Sequence, residues 1–140
     1  MSIVVNCHNG EKYLKHCINS VINQSYKNWE IIFWNNYSFD NSLEIIKNYK
    51  NKKIKKFNSK KFVKLYKARN LAIQKAKGKF ITFLDVDDYW KKNKLQSQID
   101  IINKSNGKIK MVYSNYYIKN DIKNYIKIQY TKKLPSGQIT

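Results

Sequence analysis

The sequence predicts an α/β fold with a mostly parallel sheet flanked by helices. Short apolar runs alternate with amphipathic helical segments along most of its 140 residues. Polar clusters also follow three of those runs, at Asn6 to Asn9, Asn35 to Asp40 and Asp85 to Asp88, where ligands bind in open α/β sheets. The length and the 42% hydrophobic content suit a single core, so residues 1–140 are expected to form one domain.

Ser2 to Asn6 read as a short buried strand. Glu11 to Gln24 follow as a helix with Leu14, Cys17, Ile18, Val21 and Ile22 on one face. Glu30 to Trp34 form the second strand, and Asn41 with Glu44 resembles a capping box opening a helix that carries Leu43, Ile46 and Tyr49. Lys53 to Phe57 supply a third strand. Ala68, Leu71, Ala72 and Ala76 mark a helix stopped by Gly78 as its C′ residue. Phe80 to Leu84 make a fourth, buried strand. A helix with Leu95, Ile99 and Ile102 follows, and Ile109 to Tyr113 read as another strand. Past Tyr116, the alternation of Ile126, Ile128 and Tyr130 suggests an edge or antiparallel strand. Leu134 to Gly137 read as a turn.

Asp85, Asp87 and Asp88 are three of only nine acidic residues in the chain. Adjacent carboxylates at the end of a strand repel one another and call for a cation. Oxygen donors of this hardness suit Mg²⁺ or Mn²⁺, which keep several waters and share phosphate ligands with a substrate. The other reading is a cap, with Asp87 or Asp88 at the N-terminus of a helix beginning near Lys91. No Gly-rich phosphate loop is present, so metal and side chains would have to hold a phosphate.

Composition bounds the partners. The formal net charge of +19 favours nucleic acid or an anionic membrane. The lysines, however, are scattered among Asn, Ile and Tyr, which argues against nucleic acid and leaves a weak attraction to anionic phospholipid. No apolar run is long enough to span a bilayer, and the start of the chain is too short for a secretory signal. A cytoplasmic protein, in peripheral contact with the inner membrane face, is expected. Cys7-His8 and His16-Cys17 look superficially like a zinc set, but Cys17 belongs to the apolar face of its helix while His16 points elsewhere.

Ser2 to Leu14, Ser20 to Tyr26, Glu30 to Ile32, Ser38 to Ser42, Ala68 to Ala72 and Lys77 to Asp88 together resemble the family-2 glycosyltransferases of the GT-A fold. The resemblance implies inverting transfer of a sugar from a nucleotide-diphosphate donor, with a UDP-sugar expected, to a cell-surface or lipid-linked glycan acceptor. Asp85-Val86-Asp87 looks like the family's DxD motif, with Asp87 on the metal and Asp85 near the donor ribose and the same ion. The donor side would then comprise Asn6, His8, Asn9, Asn35, Asn36, Arg69 and Asp85. Asn35 and Asn36 stand where the family usually carries acids, which weakens a charge-assisted bond to the base.

Arg69 is the only arginine of the chain. Its planar fork suits a base edge or phosphate, and the alternative is an ion pair with Asp40 or Asp85. Trp34, Tyr89 and Trp90 face the sugar or belong to the core. The resemblance places the general base on a later segment. Past Asp88 only Asp100 and Asp121 are acidic, and neither sits in a matching motif, so the base is expected to be absent and the chain truncated. Residues 1–116 would be the nucleotide-sugar-binding part and 117–140 the start of an acceptor side. A non-catalytic nucleotide-sugar-binding remnant and a basic nucleic-acid-binding module are the rival readings.

Overall fold

The computed structural model describes residues 1–120 and 125–129. They form β1 (Ser2–Cys7), α1 (Glu11–Ile22), β2 (Glu30–Asn35), α2 (Ser42–Lys47), β3 (Ile54–Asn58), α3 (Leu65–Ile73), β4 (Ile81–Phe83), α4 (Lys94–Lys104), β5 (Tyr116–Asn120) and β6 (Tyr125–Gln129). Two compact units result, Met1–Ser97 and Gln98–Thr140. Their boundary falls within α4.

The first unit is a four-stranded sheet in the order β3-β2-β1-β4, with every pairing parallel. Parallel strands are covered on both faces and so read as continuous apolar runs, as Ser2–Cys7 and Glu30–Asn35 do. Alternation along β1 sends Ile3, Val5 and Cys7 to one face, against Leu14, Cys17, Ile18 and Val21 of α1. Val4 points to the other face, where Ile32 and Trp34 pack on Ala68 and Ala72 of α3. Two cores on opposite faces therefore clamp β1 and β2. The described part of the second unit pairs β5 with β6 in antiparallel register.

Several expectations are corrected. Ile109 to Tyr113 form no strand; Ile109, Met111 and Tyr113 are exposed, and pairing begins at Tyr116. No capping box forms at Asn41, whose side-chain amide donates to Glu11 Oε2 at 2.8 Å, while Glu44 pairs with Lys47. The third helix ends at Ile73, so Gly78 is not its C′ residue. Gly78 instead permits close approach: a Cβ there would lie 2.6 Å from the Ser2 nitrogen. The fourth strand is one of the two outer strands of the sheet among the described residues, and its Ile81 and Phe83 are 42% and 43% exposed rather than buried. Tyr130, the turn at Leu134 to Gly137 and Asp121 lie outside the described residues. Among the described residues no helix is long and apolar enough to cross a membrane.

Candidate active site at the carboxyl edge of the sheet

The loops after β1 and β2 are stitched together by their own polar residues. The Asn36 N–H donates to the Cys7 carbonyl at 2.7 Å. The Asn9 N–H donates to Ser38 Oγ, the Gly10 N–H to Ser42 Oγ and the Glu11 N–H to Asp40 Oδ2. Asn9 itself sits at φ 54°, a left-handed position that asparagine tolerates, and its Oδ1 accepts the Phe39 N–H at 3.0 Å. Asn9 is thus engaged in shaping the loop. His8 is exposed, donates from Nδ1 to the Asn36 carbonyl at 3.0 Å, and has its ring flanked by Phe39 and Phe62.

Asn35 and Asn36 are both buried, at 2% and 5% exposure. Asn35 Oδ1 accepts the Ser38 N–H. The Asn36 amide makes two bonds to one residue, donating from Nδ2 to the Val63 carbonyl at 2.8 Å and accepting the Val63 N–H on Oδ1 at 3.1 Å. An amide can do both at once and a carboxylate cannot. Asn36 therefore holds the loop between β3 and α3 against the end of β2, while the Asn35 side chain shapes the loop that follows its own strand.

The acid loop follows β4. Leu84 is buried, and its N–H continues the strand pairing to the Val4 carbonyl at 3.0 Å. Val86 packs into the α1-side core, against Gly10, while Asp85 and Asp87 on either side of it remain exposed. The Asp88 N–H closes a turn onto the Asp85 carbonyl, which also faces the Cys17 thiol at 3.7 Å. Burial and the neighbouring Asp87 and Asp85 charges push the Asp88 carboxyl up. The helix after this loop begins only at Lys94, so the capping reading of Asp87 and Asp88 does not hold.

Arg69 reaches the loop from α3. Its Nη2 donates to Asp85 Oδ1 at 2.6 Å, and its guanidinium lies 5.3 Å from the centre of the Phe83 ring. Of the two ion-pair partners weighed for Arg69, Asp85 is the one used. Arg69 Nε, Asn6 Oδ1 and the Trp34 indole N–H are buried polar atoms with no hydrogen-bond partner. Asn6 and Trp34 are also register partners on the α3 face of the sheet. Unsatisfied buried groups of this kind mark a place where a ligand or water belongs.

The aromatic residues divide. Trp34 is core, 8% exposed and stacked near Phe57. Trp90 is partly buried against the α1-side core, and Tyr89 is exposed with its ring edge-on to His16. Cys7 and Cys17 are both buried, and burial pushes the Cys17 thiol up to about 12. No three His, Cys, Asp or Glu side chains among the described residues gather into a metal cage. What the acid loop offers is three exposed carboxylates, of which Asp85 and Asp87 flank Val86, a donor set that fits Mg²⁺ or Mn²⁺ completed by water and phosphate oxygens.

The sequence profile of glycosyl transferase family 2 matches residues 2–137. This chain belongs to glycosyltransferase family 2. The family-2 chain is 36% identical over 121 residues to the Escherichia coli enzyme UDP-Glc:alpha-D-GlcNAc-diphosphoundecaprenol beta-1,3-glucosyltransferase WfgD, covering 86% of this chain and 47% of that one. It superimposes with a TM-score of 0.71 on Staphylococcus aureus TarS 1-349 in complex with UDP-GlcNAc, at 31% identity, over 74% of this chain and 31% of that one. GalNAc-T7 with UDP, GalNAc and Mn²⁺ aligns with a TM-score of 0.54 and 31% identity, over 61% of this chain and 17% of that one. The parallel sheet with its flanking helices is that of the GT-A fold. The family-2 chain spans about half the length of the first curated relatives it matches.

The sequence points to Asp85, Asp87, Asp88 and Arg69 but not to Gly10, Val63 or Phe62. Their roles arise from contacts between segments distant in sequence, for which no local pattern exists. The one available signal was Gly10, one of only four glycines in the chain, standing at a strand-to-helix junction.

Proposed function

We propose that this chain binds a nucleotide-diphosphate sugar, with UDP as the nucleotide, for inverting transfer to a lipid-linked or cell-surface glycan. The observation that carries the reading is the acid loop, in which partly buried Val86 anchors a turn whose flanking Asp85 and Asp87 stay exposed, with Asp85 paired to Arg69. Asp87 and Asp85 would hold Mg²⁺ or Mn²⁺, which when bound supplies positive charge against the charge developing on the departing diphosphate. Arg69 orients Asp85 and presents a planar donor to the nucleotide. Asn6, His8 and Asn9 line the β1 side, Asn35 shapes the loop after β2, and Asn36 positions the loop that carries Val63. The names of WfgD and of the UDP-GlcNAc-bound TarS support the donor and acceptor classes, and the Mn²⁺ bound with GalNAc-T7 supports the metal.

In an inverting transfer a base removes the acceptor hydroxyl proton while that oxygen attacks the face opposite the leaving diphosphate. Among the described residues past Asp88 the only acid is Asp100, on α4, and it is not assigned that role. Donor binding is the part of the reaction that the described residues support. Action at the cytoplasmic membrane face, through peripheral contact with anionic lipid, completes it.

Calorimetric titration of UDP, GDP and a short DNA duplex, with and without Mn²⁺, tests the reading. Mn²⁺-dependent UDP binding that disappears in Asp87→Ala is expected, with little change in melting because Asp87 is exposed. Unchanged Mn²⁺–UDP affinity in that variant would defeat the metal assignment. Duplex binding that is steep in salt and indifferent to Mn²⁺ would favour a nucleic-acid module instead.

A further inference from the structure

The carboxyl edge of the sheet carries large exposed apolar side chains beside the donor-side His8. Phe39, in the loop after β2, is 83% exposed. Phe62 is 54% exposed in the loop after β3, and Leu65 and Tyr66 on the first turn of α3 are 50% and 66% exposed. The Phe39 and Phe62 rings both flank His8, which brings the two loops together. Their outward direction is built in. Asn36 clamps the Val63 backbone and the Val63 side chain packs on the α3-side core, so its neighbours Phe62 and Lys64 are turned to solvent.

Lysines alternate with the apolar residues of the second loop. Lys60, Lys61, Lys64 and Lys67 are all exposed on the same loop and helix turn. The nearby acids are occupied: Asp40 accepts the Glu11 and Ser42 N–H groups, and Glu11 accepts from Asn41. Clustered exposed aromatics mark an interaction surface, and apolar side chains interleaved with exposed lysines match the interfacial zone of an anionic bilayer. A second copy of the chain would set lysine against lysine. Leu65 offers no surface on which a nucleic-acid base could stack.

We propose that the loops after β2 and β3, with the start of α3, form a membrane-docking face that inserts Phe39, Phe62, Leu65 and Tyr66 into an anionic phospholipid surface. This deepens the peripheral contact proposed above and rests on it. Neighbouring strands lie about 4.8 Å apart, so the ends of β2 and β4 are separated by about 10 Å. Docking here brings the acid loop close to the bilayer surface, where a lipid-linked acceptor would present its glycan.

The test uses the full chain with phosphatidylglycerol–phosphatidylethanolamine vesicles and with phosphatidylcholine vesicles. Co-sedimentation is expected with the first only, at least tenfold weaker for Phe39→Ser with Tyr66→Ser and for Lys61→Glu with Lys64→Glu. An environment-sensitive dye on Phe39→Cys should shift to shorter wavelength on the anionic vesicles; Cys7 and Cys17 are buried and will not compete for it. Mn²⁺–UDP titration of the Ser and Glu variants, without lipid, separates this proposal from the donor reading. Vesicle binding with no dye shift would reduce the face to charge attraction and overturn insertion. Equal binding of both vesicle types, no binding to either, or binding to oligo-dT in place of vesicles would also overturn it. Loss of UDP affinity with vesicle binding intact would assign these side chains to the donor site.

Discussion

Gly10 and Val86 interlock at the base of the acid loop. A Cβ on Gly10 would lie 2.7 Å from Val86 Cγ2 and 2.9 Å from Cys7 Sγ, so the residue between the two acids is set in place by the missing side chain at the start of α1. The φ of Gly10 is −105°, which any residue adopts, so space rather than backbone freedom requires glycine there.

Gly10→Ala should accordingly overpack this contact and displace the loop. A loss of about 1–3 kcal/mol in stability is expected from denaturant unfolding. Mn²⁺-dependent UDP affinity should fall as well, since Asp85 and Asp87 flank the displaced residue. Wild-type stability in the variant would show that Val86 yields freely.

Arg69→Lys keeps the charge and removes the fork. The Arg69–Asp85 pair is partly exposed, with side chains 32% and 52% accessible, so its net worth to folding is about 0–1 kcal/mol. Donor affinity should drop while the melting temperature barely moves. Lower stability with unchanged affinity would make the pair purely structural.

Asn36→Asp leaves the Val63 carbonyl without its donor and places a carboxylate in a buried position. A cost of about 1–3 kcal/mol is expected at neutral pH, larger than for an exposed Asn-to-Asp change. The check is a pair of urea titrations, with Asn48→Asp as the exposed control. Equal effects at the two positions would refute the clamp.

Glu30 supplies the pH dependence. Burial works to raise its pKa, but the Lys77 N–H, the Ser2 hydroxyl and the amino terminus outweigh burial and hold the carboxyl below its ordinary value of 4.5. A depressed carboxylate contributes stability above its unfolded pKa and loses it as pH falls through the folded one. Glu30→Gln should therefore be destabilising at pH 7. The gap to wild type should close below about pH 4 in thermal melts over a pH series.

The alternation of apolar runs and helical faces was legible in the sequence because parallel strands buried on both sides leave continuous hydrophobic segments. Ser2–Cys7 and Glu30–Asn35 are the clearest, and α1 shows its core face at Leu14, Cys17, Ile18 and Val21. Where burial on both sides fails, the reading fails with it. Strand β4, at one edge of the sheet, looked buried because its residues are apolar, and Ile109 to Tyr113 looked like a strand for the same reason; hydrophobicity alone does not state which neighbour will cover a segment.

The sequence by itself determined the fold class, the family and the positions of the exposed acids, because these depend on residue type, order and spacing along the chain. Tertiary structure alone decided what each polar residue touches. It committed Asn36 to Val63, chose Asp85 for Arg69, seated Val86 on Gly10 and withdrew Asp88 from the following helix. Each of those outcomes joins segments from different strands and loops, and a hydrogen bond or van der Waals contact is satisfied only within a few ångströms. Such distances are set by the packing of the whole sheet and its helices, which no local stretch of sequence encodes.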